Sequence, residues 1–484
     1  MQARLLKESR ELLFPFLGTL LLIVVPYALW PRGAEDFGYF AFGLGCAMMG
    51  GVCFGGEFQR RTLSLLLSQP VARGVIWREK MWVLATAMAV NLAVCWLCLA
   101  IFCPHSVMWW ALIAIAVCIF CGAPAWTLQS RHTLAGTMTA LGAPGTLLML
   151  GALVVAAGSR WLSKPFFENP RLLTFGTTLL LSSYSIWAYR QGHARFQQLE
   201  LVETASLEPK LPAWAEAALA RLLGGISAQF TGPFASLVKK ELRLQRFSYI
   251  GAVCFCLLAV AGALIHLWAP EWGAGILAAD YSIYLLLIPF VVGAMSVAEE
   301  RGWGLAEWHL TLPPPAVKQW LVKMAAVLFT AVFLGLLLPA AMICATLGEL
   351  RGEPVLALAL AVQLWLVSLA AYAASFCRTT MYAILLALGL VVATATACGW
   401  AVHFASEHWW PMSLSNAIPP AKTGLWAFGI GITCLAALVQ RFAYANFRQS
   451  GSSARRCLIQ VLLLLVLSGA LAVAILPLFA VPTF

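Results

Sequence analysis

Thirteen long apolar runs set the terms for what this chain can fold into. They lie near residues 12–30, 38–56, 81–103, 107–128, 133–158, 172–190, 248–268, 281–298, 324–347, 354–376, 380–404, 424–443 and 457–480. A helix that crosses a bilayer needs about 20 apolar residues. In lipid its backbone groups must be satisfied within the segment or by neighbouring helices. The runs are continuously apolar and lack the period-2 alternation of barrel strands. The expected fold class is an all-α polytopic membrane protein with 12–13 transmembrane helices. Composition removes the soluble alternatives: 62% of the 484 residues are hydrophobic and 11% are charged, against roughly 45–50% and 25% in soluble domains. A cytosolic enzyme, a secreted disulfide scaffold and a disordered chain are all excluded.

Charge placement orients the runs. With the basic N-terminus (Arg4, Lys7, Arg10) in the cytoplasm and strict alternation, cytoplasmic segments hold 25 of the 31 Lys and Arg, and the other side holds 6. That is the asymmetry of the positive-inside rule. The basic start followed by an apolar run has the outline of a signal sequence, but no small-x-small cleavage site follows. It is read as a retained first span. The net charge of +11 is thereby explained by topology beside anionic lipid, and no nucleic-acid partner is needed.

The chain contains an internal repeat. At an offset of 243, Glu57–Met81 aligns with Glu300–Met324 without gaps. Glu57 matches Glu300, Leu67 matches Leu310, Pro70 matches Pro313, Trp77 matches Trp320 and Lys80 matches Lys323. Upstream, Lys7-Glu8 and Lys240-Glu241 each precede a first span. The expected organisation is a first six-helix half (1–190), a cytoplasmic linker (191–230), a second six-helix half of the same orientation (231–445), and a tail with one extra span (446–484).

The segment after the second span reads as a helix–break–helix elbow. Thr62–Leu67 is a short apolar stretch, Ser68-Gln69-Pro70 interrupts it, and Val71–Lys80 restarts as a basic helix. An interfacial helix lying on the lipid would have this composition. So would a knob that docks a soluble partner, and recurrence in both halves favours docking.

The pattern Glu57, Arg60-Arg61, Thr62-Leu63, Leu66-Leu67-Ser68-Gln69-Pro70-Val71-Ala72-Arg73 and Lys80 resembles the segment after the second span in six-helix permeases of the ABC exporter superfamily, type-2 class. There it carries the coupling helix that sits in a groove of the ATP-binding subunit. The lead-in Leu237–Phe247 is similar to the amphipathic helix ahead of that family's first span. The resemblance covers the topology of residues 1–445, and covers sequence over a much shorter stretch. It implies ATPase-coupling residues Glu57, Arg60, Arg61, Leu66, Pro70, Arg73 and Lys80 in the first half. In the second it implies Glu300, His309, Pro313 and Lys323. The second half departs from the pattern: Thr62-Leu63 becomes Leu305-Ala306, Arg73 becomes Ala316, and Pro313–Pro315 is a proline triplet. The resemblance also implies a bacterial inner-membrane protein, and short re-entrant caps in the outer loops 158–171 and 404–422.

Energy coupling follows from what the spans lack. Only two Asp occur, Asp36 and Asp280, both read as lying outside the membrane at span starts. Ion-driven transporters usually carry carboxylates inside their spans. No G-x-x-x-x-G-K-[ST] loop occurs, so nucleotide phosphates are not cradled by that device. ATP and Mg are therefore expected on separate cytoplasmic ATPase subunits, two per chain, with no cofactor on this chain and no catalysis by it. The 14 Cys are read as small buried hydrophobes rather than metal ligands. Met48, Met49, Thr137 and Thr139 are candidate pathway-lining residues, suiting a hydrophobic or amphiphilic substrate. Two rivals remain at this level: a secondary transporter or channel of six-plus-six design, and a membrane-embedded enzyme or scaffold.

Overall fold

Apolar runs in a chain this poor in charge fold as helices, because a helix satisfies its own backbone. The computed structural model describes residues 2–29, 34–60, 62–103, 109–162, 170–199, 217, 221, 233–302, 304, 315–347, 353–408, 422–449 and 454–479. Among the described residues all regular structure is helical and no strand occurs. In chain order the helices are α1 (Gln2–Leu29), α2 (Ala34–Gln59), α3 (Leu63–Leu67), α4 (Arg73–Phe102), α5 (Trp109–Ser130), α6 (Thr133–Leu162) and α7 (Pro170–Gln198). There follow α8 (Pro233–Leu244), α9 (Arg246–Trp268), α10 (Pro270–Met295), α11 (Ala298–Gly302) and α12 (Ala316–Val332). A π-helical turn, Phe333–Leu337, joins α12 to α13 (Leu338–Leu347). The last four are α14 (Glu353–Ala374), α15 (Thr380–His408), α16 (Lys422–Phe447) and α17 (Ala454–Phe479).

Twelve helices among the described residues are long and apolar enough to cross a membrane. The chain is a multi-pass, all-α membrane protein. The sixth expected span, 172–190, forms the 29-residue helix α7 but is not among the twelve. Its C-terminal third carries Arg190, Gln191, His193, Arg195 and Gln197, which dilute its apolar first part. The expected re-entrant caps at 158–171 and 404–422 fall largely outside the described residues.

One expectation is corrected. Asp280 lies inside a membrane helix, not ahead of one. α10 begins at Pro270, well before the apolar run read from sequence, and its apolar segment runs Gly273–Met295. Proline is well suited to the first turn of a helix, and Ile276 and Leu277 extend the apolar stretch upstream of the aspartate. The helical rise from Gly273 puts Asp280 about 10 Å into the segment. Its Oδ2 is buried and accepts no hydrogen bond among the described residues.

The chain divides into two compact units, residues 1–219 with 257–278, and residues 220–256 with 279–484. In the first, α2 is the hub and packs against α1, α4, α5 and α6. Small residues permit this closeness. A Cβ on Gly51 would lie 2.2 Å from Thr137 Oγ1, and one on Gly50 would lie 2.5 Å from the Ala123 Cβ. In the second unit α14 packs against α15 and α16, and α17 packs against both α15 and α16.

Matched contacts recur in the two units. Gly50 on α2 meets Ala123 on α5, and Gly293 on α10 meets Ala370 on α14, where a Cβ would come within 2.6 Å. Trp77 on α4 packs on His193 and Phe196 of α7, with centroids 5.7 and 5.6 Å away. Trp320 on α12 packs on Tyr444 and Phe447 of α16 at 6.1 and 5.2 Å. One common sequence offset carries His193 to Tyr444 and Phe196 to Phe447. These contacts tie the start of α4 to α7, and the start of α12 to α16.

Candidate functional site

Four stretches of sequence converge at the elbow of the first unit. α1 supplies Lys7, Glu8 and Glu11 from one helical face. α2 supplies Glu57 near its last turn, just after Gly55-Gly56. α4 supplies Lys80, one turn beyond the buried Trp77. The elbow itself supplies Arg60 and Thr62.

Lys80 is 1% exposed, and an unpaired ammonium there would cost several kcal/mol. All three of its protons are used. It donates to Glu8 Oε2 at 2.6 Å, to the Cys53 carbonyl at 3.0 Å and to Glu57 Oε1 at 3.5 Å. Lys7 donates to Glu57 Oε1 at 2.8 Å and Arg60 to Glu11 Oε1 at 2.8 Å. The Thr62 hydroxyl donates to Glu57 Oε2. Carboxylate oxygens of Glu8, Glu11 and Glu57 come within 4.8 Å of one another. Lys7, Lys80 and Arg60 neutralise them, so the cluster is a structural brace.

The second unit builds the same brace. Lys323, at the start of α12, is 3% exposed. It donates to Glu241 Oε1 and Oε2 at 3.0 and 2.9 Å and to the Ser296 carbonyl at 2.7 Å, and lies 3.0 Å from Glu300 Oε1. Lys240 bonds Glu300 as Lys7 bonds Glu57. Lys80, Glu57 and Cys53 correspond to Lys323, Glu300 and Ser296 at the repeat offset of 243. Lys7-Glu8 corresponds to Lys240-Glu241 at a slightly smaller offset. The segment between lead-in and elbow is therefore longer in the second unit. The two lysines and two glutamates recur, while Leu244 and Trp303 stand where the first unit has Glu11 and Arg60.

The elbow is held at its exit too. Arg73 donates to the Gln197 carbonyl at the end of α7. In the second unit Ala316 stands at the place of Arg73, and a tie to the end of α16 comes instead from the elbow's entry, where Arg301 donates to the Asn446 carbonyl at 3.3 Å. Burial pulls the Arg301 guanidinium below the ordinary arginine pKa. Between these anchors α3 turns Leu63 and Leu66 inward, each 4% exposed, and Leu65 outward at 68%. Ser68, Gln69 and Pro70 are exposed beside it.

The sequence-derived residues thus separate into two sets. Glu57, Lys80, Glu300 and Lys323 are buried brace residues, and Leu66 is a buried packing residue. Arg60 and Arg73 tie the elbow down, while Pro70 lies on its outer surface. Arg61, His309 and Pro313 lie outside the described residues. Met48, Met49 and Thr137 are fully buried between helices of the first unit. Thr139 is half-buried, with its hydroxyl on the Ala135 carbonyl at 2.8 Å. Sequence reasoning misses Glu8 and Glu241 as brace members, although the repeated Lys-Glu pair marks both. The resemblance names Leu66 among the coupling residues, whereas Leu65 is the leucine of α3 that faces outward.

Comparisons with protein-family models, with curated proteins and with solved structures return no match.

Proposed function

We propose that the chain is the membrane permease subunit of an ATP-driven exporter of the ABC superfamily, with a hydrophobic or amphiphilic substrate. It would lie in the bacterial inner membrane with its N-terminus in the cytoplasm. Cytoplasmic ATPase subunits, two per chain, would bind ATP and Mg and press on the elbows. The observation that carries this reading is an outward apolar tip, Leu65, on a segment braced at both ends. A buried ion cluster holds one end, and Arg73 on the Gln197 carbonyl holds the other. Force applied at the tip would pass through Thr62 and Arg60 to Glu57 and Glu11. From there Lys80 would carry it to α1, α2 and α4 as a unit. A loosely held interfacial helix would have no need of such anchoring.

The test is vectorial transport. Purified alone, the chain hydrolyses no ATP. Vesicles holding it together with an ATP-binding subunit that co-purifies with it move substrate on ATP addition, with or without a proton gradient. Transport by the chain alone, driven by an ion gradient, contradicts the proposal.

A second reading, an ion-coupled transporter, is favoured by one observation. Asp280 sits inside a membrane helix with a buried, unpartnered carboxylate oxygen among the described residues. One turn on, Tyr284 donates to the Leu334 carbonyl in the π-helical turn at 3.0 Å. Intramembrane carboxylates and π turns both occur at functional sites. Under this reading Asp280→Asn abolishes gradient-driven transport. Under the first it leaves ATP-driven transport intact.

A further inference from the structure

Among the described residues the second unit contains a helix with no counterpart in the first, and the seat it occupies does have a counterpart. α17 lies between α15 and α16 and reaches α14. Gln460 accepts from the Tyr372 hydroxyl of α14 at 3.2 Å and from Asn446 of α16 at 3.1 Å. Further along, the Cys398 thiol of α15 meets the Ser468 carbonyl at 3.3 Å. Gly469 lies against Ala397 and Ala401 of α15, and Leu471 lies over Gly431 of α16.

The equivalent helices of the first unit are α5, α6 and α7. α6 begins at Thr133 and α15 at Thr380, and the same spacing relates the matched Ala123 and Ala370. α7 and α16 are related by the offset of their matched aromatic partners. Between α6 and α7, over α5, the first unit has an open groove of about 520 Å³. Its walls are Ala143, Thr146 and Leu147 of α6 and Leu180, Ser183 and Trp187 of α7, with Trp126 and Tyr184 also lining it. Leu180 corresponds to Gly431. Leu150 and Val154 of α6, which correspond to Ala397 and Ala401, face outward at 54% and 69% exposure. The polar groups of Trp126 and Tyr184 are paired with each other at 2.9 Å, so the lining asks little hydrogen bonding of whatever covers it.

We infer that this groove is the seat of one transmembrane helix from another polypeptide, occupying in the first unit the place that α17 fills in the second. The side-chain sizes are inverted between the two seats. In the second unit the wall is small (Gly431, Ala397, Ala401) and α17 brings Leu471. In the first, Leu180 of the groove wall stands where the second has Gly431, and Leu150 and Val154 further along α6 stand where the second has Ala397 and Ala401. The incoming helix must therefore present Gly, Ala or Ser at those contacts, as closely packed membrane helices do. This inference does not rest on the proposed ATP coupling.

The test uses the full chain in lipid nanodiscs with a photoreactive residue at Leu147 or Leu180. The probe is a peptide of residues 454–479 carrying Leu471→Gly, which reproduces α17 with the small contact that Leu180 requires. Peptide adducts are expected from both positions and not from Phe175, which faces outward on α7. They should be lost in Ser183→Trp and, independently, in Thr146→Trp, both at exposed groove positions. Adducts to lipid only, equal labelling from Phe175, or adducts between two copies of the chain would each overturn the inference.

Discussion

Lys80 and Lys323, matched positions of the repeat, make the same set of bonds in their separate units. Each ammonium is buried. Each bonds a glutamate of the lead-in helix (Glu8 or Glu241), and each lies within ion-pair distance of a glutamate at the elbow (Glu57 or Glu300). Each also bonds a main-chain carbonyl one turn before the elbow glutamate (Cys53 or Ser296). A repeat of sequence letters could survive as ancestry alone. Here the repeat extends from letters to a buried ion set of lysine, two glutamates and a main-chain carbonyl.

Lys80→Met should destabilise the first unit strongly. It leaves Glu8 and Glu57 buried with too few cations, and breaking such a pair costs about 3–5 kcal/mol. Thermal unfolding in detergent reads the loss. Adding Glu8→Gln should restore part of it, with a coupling of about 0.5–3 kcal/mol in the double-mutant cycle. Additive losses would mean that the two side chains do not interact.

Neighbouring leucines of the elbow should behave oppositely. Leu66→Ala removes a buried side chain and should cost about 2–5 kcal/mol. Leu65→Ala removes an exposed one and should fall within about 0.5 kcal/mol of wild type. Equal effects in thermal unfolding would contradict the orientation of α3.

Glycine positions offer a test of the matched helix contacts. Gly50→Ala and Gly293→Ala each force a Cβ to within 2.6 Å of an alanine Cβ, and overpacking of this kind costs about 1–3 kcal/mol. Gly142→Ala meets nothing within 4 Å and should be neutral or stabilising by up to about 1 kcal/mol. Unfolding midpoints of the three variants decide the matter.

Much of this is legible in the sequence for physical reasons. Lipid tolerates only self-satisfied backbone, so apolar runs betray the helices directly. The shared Lys–Glu ion pairs of the two elbows accompany an ungapped repeat from Glu57 to Met81. Three things are not legible. Asp280 reads as a boundary because charge usually ends a span, whereas α10 starts at Pro270 and carries the aspartate inward. The outward face of a five-residue helix such as α3 depends on which leucine finds the core, and its periodicity is too short to say. Glu8 and Glu241 lie a whole hairpin of helices away from their elbow partners along the chain, so only folding reveals that they share an ammonium with them.

The central claim is that an outward elbow tip receives an ATPase. The direct measurement is affinity purification of the tagged full-length chain from its native membranes, scored for a co-purifying ATP-binding subunit, wild type against Leu65→Asp. The predicted result is a stable wild-type complex and an affinity reduced about tenfold or more in the variant, equivalent to ~1.4 kcal/mol, with unchanged folding yield. A wild-type chain that carries no ATPase, or a variant that retains it undiminished, would contradict the account.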